Sequence, residues 1–428
     1  MAAHSTDIGV KASPRSASAS HLPSQPFDTK RRWILLFMLC AITVVNFIDR
    51  QTVAVLAPVI KQAFHLSNGA YGRIVAAFQF GMMSGELPMG WLMDRVGCQL
   101  GLFAAVCWWS AATGSQAFVR SGAQLGATFY WMGTGECGNY SGGMKSIFQM
   151  FGRSERTLAI GIFNSGSVVG SVVAPPFIVY LAEHYGFRAA FLVPALLGAL
   201  WAIGWWLLYR GPERPKDGVG TQAVPLRTIL RESSAWAVML CRFFIGPVIQ
   251  FYWYWLPSYL FSVEHLSLKG VGAMSWIPFF LGSGGGIAGG WAAGWLHKRG
   301  VTTFNVRRIT MFASSALCLA SCIVPFVASI WVSLIVMSIA IFGHNFVSAN
   351  MYGAITDLFP EAAVGRATGL SGVAGGLSGL LFPLLTGILV DRISYTPVFL
   401  LAAAMPITGT ILLFVLGKRE NFNKAAAA

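Results

Sequence analysis

Charge is what this 428-residue chain has least of: Asp, Glu, Lys and Arg together make 11% of it, against about 25% in an ordinary soluble domain. Acid is the scarcer sign, with 16 Asp and Glu against 30 Lys and Arg, for a formal net charge of +14. So few charges cannot clothe a watery surface of this size, which excludes a soluble enzyme or a nucleic-acid-binding domain as the class. The basic excess sits at the ends of apolar runs, where it orients a membrane protein, and not in a patch that would bind nucleic acid. Alternating strands of about ten residues are missing, which excludes a β-barrel. The seven cysteines lie mostly inside apolar runs without metal-ligand spacing, so neither a metal site nor a structural disulfide is expected. No Ser-His-Asp order stands out. The glycine run Gly282–Gly290 lacks the Gly-Lys-Ser/Thr ending and the preceding strand of a phosphate loop, and reads instead as close helix packing. A non-enzyme without cofactor is the expectation.

What is present is apolar sequence: 55% of residues, in many runs near 20 long, the length that crosses a bilayer as a helix. The expected fold is all-α, a polytopic membrane protein of twelve transmembrane helices in two pseudo-symmetric six-helix bundles. Residues 1–29 read as a disordered cytoplasmic tail, 30–209 as the N-terminal bundle, 210–234 as a cytoplasmic linker, 235–417 as the C-terminal bundle and 418–428 as a second cytoplasmic tail. The spans fall near 33–60, 70–93, 100–119, 123–150, 157–182 and 188–209, then 235–262, 270–296, 306–327, 331–356, 365–390 and 396–417. Lys and Arg concentrate on the side of the N-terminus, which places both termini and the linker in the cytoplasm.

An internal repeat supports the two halves. Phe151, Ala159, Gly161, Pro175, Phe191 and Leu192 recur 208 positions later as Phe359, Ala367, Gly369, Pro383, Phe399 and Leu400. His65-Leu66-Ser67 recurs as His265-Leu266-Ser267, and the basic turn Asp94-Arg95-Val96-Gly97 matches His297-Lys298-Arg299-Gly300. Parallel six-span halves joined by a linker are the arrangement of rocking secondary transporters, with the site near the midplane between them.

Polar residues inside the spans are the candidates for that site. Asn46, Asp49 and Arg50 interrupt the first span. An ionisable group at that depth costs roughly 2.5–3.5 kcal/mol on insertion scales, and persists where it is paired or lines a wet cavity; a helix-end pair reaching the interface is the plainer alternative. Arg50 has the fork that grips a carboxylate. Glu136 lies deep in the fourth span among Gly133, Gly135 and Gly138, where desolvation suits a proton carrier, with Asn139 three residues on along the same face. Glu86 precedes Pro88 in the second span, and is a third titrating candidate or an acid satisfying a carbonyl the proline frees. His344 stands at the repeat position of Glu136, followed by Asn345 and Asn350; it is a ligand candidate or a packing histidine. Asn164 and Ser167 share a face of the fifth span, and Gln250, Tyr252 and Tyr254 supply polar heads in the seventh. Lys145 and Arg242, near span ends, read as snorkelling cations or gate residues.

The turn Gly90-Trp91-Leu92-Met93-Asp94-Arg95-Val96-Gly97 resembles the loop signature of the major facilitator superfamily, although Cys98 and Gln99 stand where that signature continues with basic residues. Asn46–Gln51, Gly133–Asn139, Glu155-Arg156, Gly161–Ser167, Phe251-Tyr252 with Trp255-Leu256-Pro257, Ala349-Asn350, Phe359-Pro360 and Ala363–Gly365 resemble the anion:cation symporter family, nearest its bacterial hexuronate transporters. The resemblance implies proton-coupled symport of a small organic anion, a sugar acid such as a hexuronate, by a monomer in the bacterial inner membrane. It implies proton coupling at Asp49 and Glu136, a gate at Asp94 and Arg95, and a substrate contact at Tyr252. Two departures bear on the site. Phe47 replaces a tyrosine of the relatives, and Phe129 replaces an arginine seven residues before Glu136, which leaves that glutamate without its expected cation. A uniporter or antiporter of another organic solute, and an anion sensor that moves nothing, are the rival readings.

Overall fold

The structure, a computed structural model, describes residues 28–209 and 226–417. Most of the expected tail 1–29, the first part of the linker 210–234 and the tail 418–428 lie outside the described residues.

Ten helices of 20 to 49 residues are long and apolar enough to cross a membrane. One of them, Asn68–Gln116, counts twice. Its 49 residues would reach about 74 Å at 1.5 Å per residue, more than double a hydrocarbon core of about 30 Å. It turns back at Gly97, whose φ of 80° and ψ of 172° break the helix; glycine takes that conformation without a Cβ clash. The span that completes the twelve is Gly122–Met150, the fourth in chain order, of which Glu136, Asn139 and Lys145 are part; those polar residues and its glycines keep its hydropathy low. The remaining spans are Thr29–Val55 (the first, continued by Ala57–Ala63), Arg153–Tyr185, Ala189–Leu208, Ser233–Ser262, Leu268–Lys298, Thr303–Phe326, Ile330–Leu358, Glu361–Arg392 and Thr396–Leu416. The eighth is broken into Leu268–Met274, Ile277–Gly282 and Gly285–Lys298, and the ninth ends as a 3₁₀ helix, Leu319–Phe326. Among the described residues no strand occurs.

The repeat is written into the backbone. Among the described residues, His65 (φ 51°) and His265 (φ 54°) are the non-glycine residues at positive φ, a conformation rare for a residue with a Cβ. Each is followed by a serine, Ser67 or Ser267, whose side chain accepts from the backbone N–H three residues on, at 3.1 and 3.2 Å, so the second and eighth spans start with the same cap. Gly97 and Gly300, at φ 80° and 77°, close the matching turns.

The same symmetry joins the halves. A Cβ on Gly72 would meet Pro383, and one on Gly272 would meet the Pro175 carbonyl at 3.3 Å. The second span therefore packs on the eleventh as the eighth packs on the fifth. Asp391, at the end of the eleventh span, accepts from Asn68 N–H at 2.9 Å, Asn68 Nδ2 at 3.0 Å and Gly69 N–H at 2.6 Å. Its carboxylate thus satisfies the open N–H groups and positive dipole end of the second span. Contacts between these two spans run from that end as far as Met83 against Gly376, about 22 Å of helix. Beyond that level the glycines have no neighbour: nothing lies within 4 Å of where a Cβ would sit on Gly90, Gly161, Gly365, Gly369 or Gly372. The halves are closed at the end where the first span finishes and parted at the end where it starts.

Removing the carboxylate at Asp391 tests the closure. Asp391→Ala is expected to shift the population toward an open far end by roughly tenfold or more, the scale of a lost charge-assisted hydrogen bond. Spin labels on the exposed residues Tyr185 and Ile393 read this as a longer distance; an unchanged distribution would remove Asp391 from the closure.

Candidate functional site

The first span delivers its polar residues to the junction of the halves. Asn46 and Arg50, four apart, share one helical face, and Asn46 Oδ1 lies 3.5 Å from Arg50 Nη2. Asp49, about 100° round the helix, points elsewhere, so the adjacent Asp49–Arg50 pair does not form. Arg50 crosses to the fourth span instead, where its Nε and Nη2 donate to Glu136 Oε2 at 3.2 and 2.8 Å. The cation expected to be missing at Phe129 is therefore supplied by Arg50. Phe129 has another place: it stacks on Phe78 at 4.6 Å, and the Phe78 and Phe47 rings lie against the guanidinium at 5.2 and 5.0 Å. This aromatic sleeve strips water from the cation and adds a cation–π attraction.

The pair is sealed and only partly satisfied. The side chain of Glu136 is 0% exposed and that of Arg50 13%. Breaking such a pair strands a buried charge at a cost of about 3–5 kcal/mol. Glu136 Oε1, Asn46 Nδ2 and both carboxylate oxygens of Asp49 have no hydrogen-bond partner among the described residues. The Trp109 indole N–H is likewise buried and unpartnered among the described residues.

The second half meets this cluster through the seventh span. The Tyr254 hydroxyl is buried and without a partner among the described residues; its ring lies 6.2 Å from Phe78, which covers Arg50, while its backbone carbonyl accepts from the Tyr71 hydroxyl of the second span at 2.8 Å. Trp253 packs edge-on against Phe47 at 5.6 Å. Tyr252, the tyrosine the resemblance points to, faces the other way and hydrogen-bonds Ser321 at 2.7 Å inside the second half. The sequence offers Tyr254 as a polar head of the seventh span beside Gln250 and Tyr252, and residue pattern alone does not separate it from Tyr252.

Other expected residues lie apart from the pair. Asn139 donates to Thr43 Oγ1 at 3.1 Å, tying the fourth span to the first. Asn350 is held by Arg307 Nη1 at 3.1 Å and Thr310 Oγ1 at 3.0 Å, beside the Arg307–Asp357 bridge of 2.6 Å; its carbonyl oxygen is committed within the second half. His344 is buried, 3.3 Å from Ser348 Oγ through Nε2, with Nδ1 unpartnered among the described residues. Asn164 is exposed and Ser167 half-buried, the hydroxyl donating to the Asn164 carbonyl at 2.7 Å. Glu86 is exposed. Asp94 pairs with Lys145 at 2.8 Å, and Lys145 also donates to the Met93 carbonyl at 2.7 Å, so Lys145 braces the turn between spans two and three. Arg95 lies over Trp91 at 5.1 Å. Arg242 stacks on Tyr352 at 5.5 Å, on the side where the halves part.

Twelve helices in two repeated halves, meeting over a buried ion pair, define a two-bundle membrane transporter. A family model for the Major Facilitator Superfamily matches residues 39–306 and 301–427, and the chain belongs to that superfamily. It is 25% identical over 404 residues to the "Hexuronate transporter" of Escherichia coli K12, covering 90% of this chain and 94% of that one. It is 25% identical over 414 residues to the "D-galactonate transporter" of Escherichia coli O6:H1, covering 90% and 96%. A bacterial homologue of the human lysosomal transporter Spinster, solved inward-facing and unoccupied, shares the fold with a TM-score of 0.72 at 18% identity, covering 94% of this chain and 98% of that one.

Proposed function

We propose that the protein is a proton-coupled symporter of a small organic anion, a sugar acid such as a hexuronate, in the bacterial inner membrane. The observation that carries this is the sealed Arg50–Glu136 pair with a second unpaired carboxyl, Asp49, behind it. Arg50 cannot give up its proton, so it is available to an anion only when Glu136 releases it. Protonation of Glu136 does that: the neutral acid no longer competes, and a substrate carboxylate takes the guanidinium. Asp49 is the second proton site. With both termini cytoplasmic, the parted end faces the cytoplasm, and substrate and proton leave there before the pair re-forms. Coupling follows because protonation and anion binding each favour the conformation in which the pair is broken. The names of the relatives above favour sugar acids over other anions.

Uptake into proteoliposomes tests the reading. Sugar acids are expected to accumulate above the external concentration only with an inward proton gradient, while neutral sugars of the same size do not. Accumulation of the neutral sugars, or acid uptake indifferent to the gradient, would contradict it.

A further inference from the structure

Two buried groups on opposite sides of the junction lack hydrogen-bond partners among the described residues: the Tyr254 hydroxyl on the second half and Glu136 Oε1 on the first. Buried polar groups are nearly always satisfied, and an exception asks what completes it. Tyr254 is held in place independently of any ligand. Its carbonyl is bonded to Tyr71 at 2.8 Å, and its ring lies 6.2 Å from Phe78, which itself covers Arg50. The ring is thus fixed beside Phe78, one of the two rings that cover Arg50, with its hydroxyl buried.

Resting on the anion reading above, we propose that the Tyr254 hydroxyl is the second-half ligand of the substrate carboxylate, so that the bound anion is held by Arg50 from one half and by Tyr254 from the other. The chemistry is matched. Arg50 offers only donors, and the phenol offers a donor beside them; a carboxylate, an acceptor at both oxygens, satisfies the two together. Glu136 Oε1, an acceptor left over once Arg50 has turned to the substrate, suits a sugar hydroxyl or the proton of the acid itself. A ligand shared between the halves also binds differently as they separate, which is the condition for binding to drive the conformational change.

Tyr254→Phe removes the hydroxyl and keeps the ring and the carbonyl. With purified full-length protein, binding of D-glucuronate and of its uncharged amide, D-glucuronamide, is compared by calorimetry. The variant is expected to bind the acid roughly tenfold or more weakly, the usual consequence of losing a hydrogen bond to a charged group, with amide binding unchanged. Tyr71→Phe, which removes the other hydrogen bond of the same residue, is expected to keep the preference for acid over amide. Equal acid affinity in wild type and Tyr254→Phe, or an equal loss for acid and amide, would overturn the assignment of Tyr254 alone. A wild type that does not bind the acid in preference to the amide would overturn the anion reading and this proposal with it.

Discussion

Glu136→Gln is expected to abolish uphill uptake while leaving exchange. The amide keeps the size of the acid and can still accept from Arg50 Nε and Nη2, which now reach Glu136 Oε2 at 3.2 and 2.8 Å. It cannot bind or release a proton. The competition between carboxylate and substrate for Arg50 is then fixed at its protonated limit. Accumulation driven by a proton gradient should fall at least a hundredfold, and counterflow of labelled against unlabelled substrate should stay within a few-fold of wild type. Full uphill uptake by the variant would take Glu136 out of the coupling step and leave Asp49 to carry it.

Arg50→Lys is expected to lose transport without losing the fold. A lysine still neutralises Glu136, so the buried carboxylate is not stranded. It lacks the planar fork that places two donors on one oxygen and the flat face that lies between Phe47 and Phe78. Substrate affinity should drop by roughly a hundredfold, the scale of about 3 kcal/mol for a truncated charge-assisted contact, with a melting temperature near wild type. Arg50→Ala should be less stable as well, because Glu136 is left as an unpaired buried acid. Adding Glu136→Gln should restore that stability and not the affinity. A stable, fully transporting Arg50→Ala would show that the pair is structural only.

The spans, the repeat and the ionisable residues were legible because lipid imposes strict rules. Apolar length, the cost of intramembrane charge and the punctuation by Gly97, Gly300 and the two His-Leu-Ser turns all act locally along the chain. What local pattern does not carry is who faces whom. Arg50 and Glu136 are 86 positions apart, and nothing in either segment states that they bond. The missing arginine at Phe129 suggested a glutamate without a cation, because a sequence comparison by position does not see that a residue from another helix fills the same space. Asn350 read as a ligand because it is polar at membrane depth; Arg307 and Thr310, which take up its carbonyl oxygen, come from another span. Tyr252 and Tyr254 differ by two residues and thus by slightly more than half a turn, so only the packing of the seventh span decides which one lies toward the pair.

The most direct test of the central claim is the proton movement itself. Proteoliposomes holding a pH-sensitive dye, with no initial pH difference and the membrane potential clamped at zero, receive an inward gradient of D-glucuronate. The account predicts that the lumen acidifies as the acid enters, at a rate that follows substrate uptake, and that Glu136→Gln vesicles show no acidification. Substrate entry without acidification in the wild type, or the same acidification in Glu136→Gln, would contradict it.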